Sequence, residues 1–433
     1  MSSRSSSSQL WNTLRRYTEI TGVINRFRKD HAIGSSFSNS GSNSNEQINV
    51  RTNRKSTAPT ALPLMQIITN LHRLFPLSFS RSFEDFHQFT VNKEVFQENL
   101  LSVLPYYPVS SSRYTAKVIR TPVGDSGNYI NEFQITPVRA SHGESMAPDG
   151  TPLKHIILVH GYGAGLGFFI KNFNALLSEN VVIHAIDLPG YGFSSRPKFP
   201  FSYPKDSYLA VENYFHDMLH QWFEQKGLTR SWESNFVVAH SMGAYIFALY
   251  ANKYKHFRKL VMCSPGGVSR NESMPSPPWW FVKMWDKNIS PFSLVRNSGR
   301  LGSKLVSGWS SRRFGLDHPH FEKIHRYTYG IFNQPGSGEY MLSFMLGCGG
   351  WPRVPLESRL FTDKNFKCGH LDWLWLYGDG DWMDVNGGRR INEFLKKNNI
   401  KSSLAVVPDA GHHLYWDNDS FFNDIVKREI IKN

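Results

Sequence analysis

The sequence has little of what marks several common protein classes. Its 433 residues include three cysteines, Cys263, Cys348 and Cys368, whose spacing fits neither a disulfide framework nor a metal site. No apolar run reaches about 18 residues, the length that a membrane-spanning helix needs. No phosphate-binding loop, dinucleotide fingerprint or nucleic-acid-binding motif is present. We therefore expect a reducing compartment, no metal, no cofactor and no nucleic acid partner.

Acidic residues are also scarce relative to basic ones. The chain has 35 Asp and Glu against 49 Lys and Arg, a formal net charge of +14. A chain this basic favours anionic surfaces. Because no nucleic-acid motif accompanies the charge, we expect an anionic membrane as partner, although a generally basic protein would have the same composition.

The first 60 residues differ in composition from the rest. Residues 1–29 are rich in serine and carry six Arg and Lys against one acid, Glu19, a composition typical of a mitochondrial transit peptide. An ordinary basic tail is the alternative. Residues 35–60 are low-complexity Ser and Asn, typical of a linker. We predict a transit peptide and linker over 1–60, and a helical segment over 61–112 with amphipathic helices at 65–75 and 94–104.

The most informative motif is centred on Ser241. An apolar run at 235–238 precedes it and a helix-like run at 244–251 follows it. A strand, a tight turn around a serine and a helix together are typical of a nucleophile elbow. Such a turn needs small neighbours, which Gly243 provides fully and Ala239, in place of the usual glycine, nearly provides. We therefore predict that Ser241 is a nucleophile; a buried turn serine is the alternative.

A second motif would stabilise the charge that forms when Ser241 attacks a carbonyl. The β-branched run at 156–159 leads directly into the glycine-rich loop at 160–165. In an elbow enzyme this loop supplies one oxyanion-hole amide, and the residue after the nucleophile supplies the other. These are the amides of Tyr162 and Met242, and the side chain of Tyr162 needs no role.

The remaining partners follow in the chain order nucleophile, acid, histidine. The strand predicted at 371–377 is followed by three acids, of which Asp381 is the preferred choice, ahead of Asp379 and Asp384. The next strand, at 404–407, leads to two histidines, of which His412 is the preferred general base and His413 the alternative. In this scheme His412 accepts the Ser241 proton and the acid orients its ring.

Strands alternate with helices along the rest of the chain, which predicts an α/β fold with a mostly parallel sheet covered on both faces. We place the core at 113–268 and 362–433, with an opening hairpin at 113–123 and 129–138. Residues 269–361 interrupt the alternation and are predicted to form an inserted helical lid. The lid carries twelve basic residues against six acids and several aromatics, including Trp279, Trp280, Phe281 and Trp285. Docking on an anionic bilayer and packing within a small lid core both explain these residues.

On these motifs the chain resembles the α/β-hydrolase family of fungal mitochondrial cardiolipin-specific deacylases and their lysophosphatidic-acid-acyltransferase-like relatives. The resemblance rests on the loops 160–165 and 187–192 and, more specifically, on the lid segments 307–314 and 335–340. It also includes a His-x4-Asp motif, here His412 and Asp417, which in the relatives is linked to acyl transfer. We expect Asp417 to cap a helix or orient its loop.

The resemblance implies an α/β-hydrolase fold and a serine phospholipid deacylase that converts cardiolipin to monolysocardiolipin. It also implies a peripheral position on the mitochondrial inner membrane, on the matrix side. A lysophospholipid acyltransferase would share the acyl-enzyme and differ only in the acceptor. A non-catalytic lipid-binding regulator would not need Ser241, and a soluble esterase would not need a membrane.

Overall fold

The computed structural model describes residues 71–125, 127–141, 146, 150–270, 278–348 and 350–431. The predicted transit peptide and linker, and the first part of the helix predicted at 65–75, lie outside this range. The remainder of that helix is α1 (Leu71–Leu74). The rest of the described chain is built around one sheet of eight strands.

The sheet contains two antiparallel strands at one edge and six parallel strands. Its spatial order is β1-β2-β4-β3-β5-β6-β7-β8; β1 pairs antiparallel with β2 and β2 with β4, and all other pairs are parallel. The mostly parallel α/β prediction is therefore confirmed. The strands are β1 (Tyr114–Pro122), β2 (Tyr129–Pro137), β3 (Lys154–Val159), β4 (Val181–Ile186), β5 (Asn235–His240), β6 (Lys259–Cys263), β7 (Asp372–Gly378) and β8 (Ser402–Val407).

Alternating side chains of the central strands point to opposite faces of the sheet. In β3, Ile156 and Leu158 belong to one buried cluster, whereas Ile157 and Val159 belong to another. All six residues of β5 are buried, as expected for a strand covered by helices on both sides. This two-sided core holds the carboxyl ends of β5, β7 and β8 at one edge of the sheet, where the candidate site lies.

Helices and loops connect the strands. The α-helices before the lid are α2 (Phe79–Asn92), α3 (Val95–Leu101), α4 (Val138–Ser141), α5 (Phe173–Leu176), α6 (Tyr208–Gln225) and α7 (Met242–Ala251). Those after the lid are α14 (Val385–Lys397), α15 (Leu414–Asp417) and α16 (Asp419–Val426). The helix predicted at 94–104 is shorter than expected, because the chain leaves the helical conformation ahead of Pro105.

The segment between β6 and β7 is helical, as predicted. It contains α8 (Trp279–Asp286), α9 (Pro291–Asn297), α10 (Gly302–Phe314), α11 (Phe321–Phe332), α12 (Leu342–Met345) and α13 (Leu356–Arg359), with short 3₁₀ turns at Gly299–Leu301 and Gly338–Met341. We call its described part, residues 278–348 and 350–361, the lid segment. Of the helices that the structure describes, none combines the length and the apolar character needed to cross a bilayer.

Candidate active site

Ser241 lies on the sharp turn between β5 and α7. Its backbone adopts φ 52° and ψ −114°, a conformation that residues with a side chain rarely adopt and that concentrates at functional sites. A Cβ on Gly243 would collide with the carbonyl oxygen of His160, and one on Gly161 would lie 2.9 Å from Cβ of Ser241. The turn therefore packs directly against the loop after β3, and this close approach explains the small residues of both motifs.

His412 joins Ser241 to Asp381. Its Nε2 lies 3.0 Å from Oγ of Ser241, and its Nδ1 lies 3.1 Å from Oδ1 of Asp381. The side chain of Asp381 is 1% exposed, and its Oδ1 also accepts a hydrogen bond from the amide of Met383. A carboxylate at Nδ1 favours the tautomer that leaves Nε2 free to accept the serine proton. The structure thus brings the predicted serine, histidine and first-choice acid into one hydrogen-bonded chain.

The two other acids of this loop have different partners. Asp379 accepts hydrogen bonds from the amides of Asp409 and Ala410, and it thereby braces the loop that leads to His412. Asp384 caps the N-terminus of α14 and accepts a hydrogen bond from the hydroxyl of Ser269. Neither carboxylate contacts the His412 ring, so geometry separates three acids that the sequence left as alternatives.

Two further histidines surround the His412 loop. The Nε2–H of His240 donates to the backbone oxygen of His412 at 2.9 Å, and the two rings lie 4.8 Å apart. The alternative base, His413, instead packs against His240, with ring centroids 5.0 Å apart. Burial lowers the pKa of both His240 and His413 well below its ordinary value, so both stay neutral. Of the two candidate bases, only His412 reaches Ser241.

The amides of Tyr162 and Met242 have the freedom that oxyanion donors need. Met242 begins α7, where the first amides of a helix lack intrahelical partners and the helix dipole favours negative charge. Tyr162 follows Gly161, which contacts Ser241. In the described ranges, neither amide donates to a protein acceptor.

The side chain of Tyr162 has a structural partner that the sequence did not reveal. Its ring lies 5.2 Å from that of Phe292 in α9. Burial raises the pKa of the Tyr162 hydroxyl well above its ordinary value, so it remains protonated. The oxyanion loop is therefore attached to the lid segment through this side chain.

Asp417 braces the His412 loop rather than capping a helix. It ends α15, and the cap of α16 is Asn418, so the capping expectation was wrong. Its Oδ2 accepts from the amide of Gly411 at 2.9 Å, and its Oδ1 accepts from Nη1 of Arg313 at 2.7 Å. Because Arg313 lies in α10, this carboxylate connects the lid segment to the loop that carries His412, which agrees with the loop-orienting alternative.

The glycine motifs 187–192 and 335–340 meet in space. The amide of Gly338 donates to the oxygen of Gly190 at 3.2 Å. A Cβ on Gly190 would collide with the backbone of Gly338, and one on Gly338 would collide with the oxygen of Pro189. Two segments that resemble family signatures therefore form one contact between the core and the lid segment. The two backbones approach so closely that only glycine fits at both positions.

A buried ion-pair cluster lies beside this glycine contact. The Glu339 side chain is 4% exposed, accepts from Nη2 of Arg296 at 2.7 Å and lies 3.8 Å from Nη1 of Arg196. A buried carboxylate needs such partners because desolvation alone would make its charge costly. The cluster joins Arg296 of α9 to Arg196 of the core on the other side of Glu339.

Trp382 is a site residue that sequence reasoning missed. It directly follows Asp381, its ring lies 4.9 Å from that of His412, and it is 53% exposed. It therefore covers one side of the histidine ring and presents its other side to solvent. Its position next to the acid was the only signal in the sequence.

The lid aromatics differ in their exposure. Trp279 is 71% exposed, and the ammonium of Lys283 lies 5.0 Å from its ring. Trp285 is partly buried, and its indole N–H donates to the oxygen of Leu346. The side chain of Phe281 lies outside the described part of the chain. Thus α8 contributes to a lid core and also displays one tryptophan beside a cation.

The described residues contain no group of three or more His, Cys, Asp and Glu arranged to hold a metal ion. The candidate site consists of the serine, histidine, acid and backbone amides described above. Such a set can activate a hydroxyl and stabilise an oxyanion, which is the chemistry of acyl transfer from an ester.

Comparison with known proteins agrees with this geometry. A family model described as alpha/beta hydrolase fold matches residues 154–419. Over 354 residues the chain is 29% identical to a 1-acylglycerol-3-phosphate O-acyltransferase of Arabidopsis thaliana, covering 76% of this chain and 78% of that protein. Over 307 residues it is 28% identical to a (lyso)-N-acylphosphatidylethanolamine lipase of Homo sapiens, covering 69% of this chain and 83% of that protein.

A solved structure shows the same fold at lower sequence identity. It is the 2-hydroxy-6-oxo-6-phenylhexa-2,4-dienoate hydrolase of Rhodococcus sp. strain RHA1, with a TM-score of 0.50 and 17% identity. The match covers 74% of this chain and 100% of that chain. This likeness concerns the fold alone.

Proposed function

The chain belongs to the α/β-hydrolase fold family, and on that premise we propose that it is a serine phospholipid deacylase that releases a fatty acid from cardiolipin and leaves monolysocardiolipin. The observation that carries the proposal is the hydrogen-bonded chain of Ser241, His412 and Asp381 on a strained elbow. Relatives named as a lipid acyltransferase and a phospholipid lipase support a lipid ester as substrate.

In the first half-reaction, Oγ of Ser241 attacks the ester carbonyl carbon while Nε2 of His412 accepts the hydroxyl proton. The tetrahedral oxyanion is held by the amides of Tyr162 and Met242. His412, oriented by Asp381, then gives its proton to the leaving oxygen of the lysophospholipid, and an acyl-serine remains.

The second half-reaction repeats the first with water as nucleophile. His412 takes a proton from the water, which attacks the acyl-serine carbonyl. Collapse of this intermediate returns the proton to Ser241 and releases the fatty acid. The enzyme is regenerated without any cofactor or metal in the scheme.

Charge and exposed aromatics support an anionic membrane as the site of action. The basic excess of residues 269–361 suits a lipid that carries two phosphates, and Trp279 beside Lys283 suits the bilayer interface. The Arg- and Ser-rich composition of residues 1–29 supports a mitochondrial location. We place the enzyme peripherally on the inner membrane, on the matrix side, with a transit peptide and linker in 1–60 ahead of the helical segment, core and lid.

Acyl transfer to a lysophospholipid is the second candidate. It is favoured by the acyltransferase relative and by the pairing of His412 with Asp417 in a His-x4-Asp motif. Against it, both carboxylate oxygens of Asp417 are engaged, by Arg313 and by the Gly411 amide. A carboxylate held in this way orients a loop and does not need to take part in proton transfer.

The test is fatty acid release from vesicles of cardiolipin, phosphatidylglycerol, phosphatidylethanolamine or phosphatidylcholine, with wild type compared to Ser241→Ala. Release from cardiolipin alone, lost in the variant, is expected. Parallel reactions with acyl-CoA and a lysophospholipid measure acyl transfer. Transfer dependent on Ser241 without release to water would replace the deacylase with the acyltransferase. No product in either assay from folded, vesicle-bound wild type would leave the non-catalytic regulator, and ester hydrolysis without vesicle binding would leave the soluble esterase.

A further inference from the structure

A second aromatic surface lies outside the candidate site, on helix α2. Phe79 is 59% exposed and Phe83 is 42% exposed. They are four residues apart in one helix and therefore neighbours on its surface. We call this surface the Phe79–Phe83 patch. Two large exposed aromatics side by side are unusual enough on a protein surface to suggest a partner.

Each phenylalanine of the patch has a cation beside it. The ammonium of Lys304 lies 4.7 Å from the Phe79 ring, and the guanidinium carbon of Arg300 lies 5.8 Å from the Phe83 ring. Within the described ranges, neither cation forms an ion pair with a carboxylate. Lys304 donates instead to the backbone oxygens of Phe75 and Leu77. No carboxylate in the described part of the chain therefore neutralises the positive charges of the patch.

A buried serine fixes the cations next to the aromatic rings. The hydroxyl of Ser82, which is fully buried, donates to the oxygen of Arg300 at 2.7 Å and accepts from the amide of Lys304 at 2.9 Å. Helix α2 is thereby attached to the 3₁₀ turn Gly299–Leu301 and to the start of α10. The aromatics and cations come from separate parts of the chain but form one preassembled surface.

We propose that the Phe79–Phe83 patch binds the interface of an anionic phospholipid bilayer. The rings would enter the headgroup region, and Lys304 and Arg300 would contact lipid phosphates. Charge complementarity favours this partner, because the cations Lys304, Arg300 and Arg81 outnumber the exposed acids Glu84 and Glu322, which both pair with Arg81. The inference rests on the proposed function, to which it adds a contact surface that is separate from the catalytic residues.

Unlike Trp279, the patch is connected to the loop that carries the catalytic histidine. It joins α2 to the lid helix α10, which also carries Arg313, the partner of Asp417. Binding through this surface would therefore hold the α10 side of the lid segment against the membrane. The catalytic loop would then be oriented relative to the lipid through Asp417.

The experiment measures co-flotation of the full chain with vesicles of phosphatidylcholine containing cardiolipin, in the Ser241→Ala background so that no lipid is consumed. Phe79→Ser combined with Phe83→Ser is expected to weaken partitioning by about tenfold or more, because both rings lose their apolar contact. Arg300→Gln is expected to weaken it by about fivefold, the contribution of one cation at an anionic surface. The control is Val91→Ser, which alters an apolar residue elsewhere on α2 that is more exposed than either phenylalanine.

Hydrolysis of a soluble ester, measured with Ser241 intact, separates this inference from the proposed function. Patch variants that keep soluble-ester activity and lose vesicle binding support the inference. Wild-type binding by the double variant, or an equal loss in Val91→Ser, overturns it even if cardiolipin is the substrate. If the double variant loses self-association but still binds vesicles, the inference is also overturned, and the patch is assigned to contact with a second copy of the chain. If wild type binds vesicles but releases no fatty acid, and the double variant loses that binding, the proposed function fails and the patch assignment stands.

Discussion

Asp381→Asn and Asp379→Asn form a matched pair that tests which acid orients the histidine. The two residues are close in one loop, and both changes replace a carboxylate by an amide of nearly the same shape. Asp381 contacts Nδ1 of His412, whereas Asp379 contacts the backbone amides of Asp409 and Ala410. Only Asp381→Asn removes a negative charge that contacts the His412 ring.

The expected magnitudes differ by orders of magnitude. For Asp381→Asn we expect kcat to fall by about 10³–10⁴-fold, because an amide does not hold the required tautomer or stabilise the imidazolium. This equals about 4–5.5 kcal/mol of activation free energy. Asp379→Asn keeps one acceptor oxygen for two amides, so we expect a loss of about 1 kcal/mol in the free energy of unfolding. Its effect on kcat should stay below about tenfold.

The assay is initial-rate hydrolysis of a soluble short-chain ester, with thermal unfolding of each variant measured in parallel. A soluble substrate removes membrane binding from the comparison. The assignment of Asp381 would be refuted if its variant kept more than about a tenth of wild-type kcat. It would also be refuted if Asp379→Asn were as inactive as Asp381→Asn while remaining folded.

Three further changes test other parts of the structure. Gly243→Ala should abolish soluble-ester hydrolysis and lower the melting temperature, since its Cβ would collide with the His160 oxygen; an active, equally stable variant would contradict the elbow packing. Trp382→Ala should lower kcat by about tenfold by uncovering the ring of His412, with Trp382→Phe largely restoring it; equal rates in all three proteins would show that the cover is dispensable. Burial lowers the pKa of His325 to about 3, so its contribution to stability is complete above pH 6.5 and decreases by about 1.4 kcal/mol per pH unit as the pH falls from 6.5 toward 3. Urea unfolding between pH 7.5 and about 4.5 should therefore be less pH-dependent in His325→Gln than in wild type, and identical slopes would count against this reasoning.

The elements of the fold were predictable where the signal is local. The apolar run at 235–238 lies within β5, and the helix-like run at 244–251 lies within α7. The helix predicted at 94–104 is too long. Its apolar spacing continues to Leu104, whereas the helix in the structure ends at Leu101, ahead of Pro105. Local pattern therefore locates elements better than it locates their ends.

The candidate site shows the same division between local and long-range information. Ser241, Asp381 and His412 each follow a predicted strand, so chain order and parallel topology bring them to one edge of the sheet. The sequence ranked Asp381 ahead of Asp379, but the path of the loop is what shows which carboxylate reaches His412. The partner of Asp417, Arg313, lies 104 positions away in the chain. Contacts of this kind depend on how the lid segment folds back, which spacing along the chain does not encode.

The contact between Gly190 and Gly338 has a mechanical consequence. With the buried cluster around Glu339 beside it, this contact holds the lid segment against the core, in addition to the Tyr162–Phe292 and Arg313–Asp417 contacts. A segment held at several separate points does not lift away as a whole, because all of these contacts would have to break together. We therefore expect a bulkier residue at either glycine to loosen one of these attachments and to alter lipid access without touching Ser241.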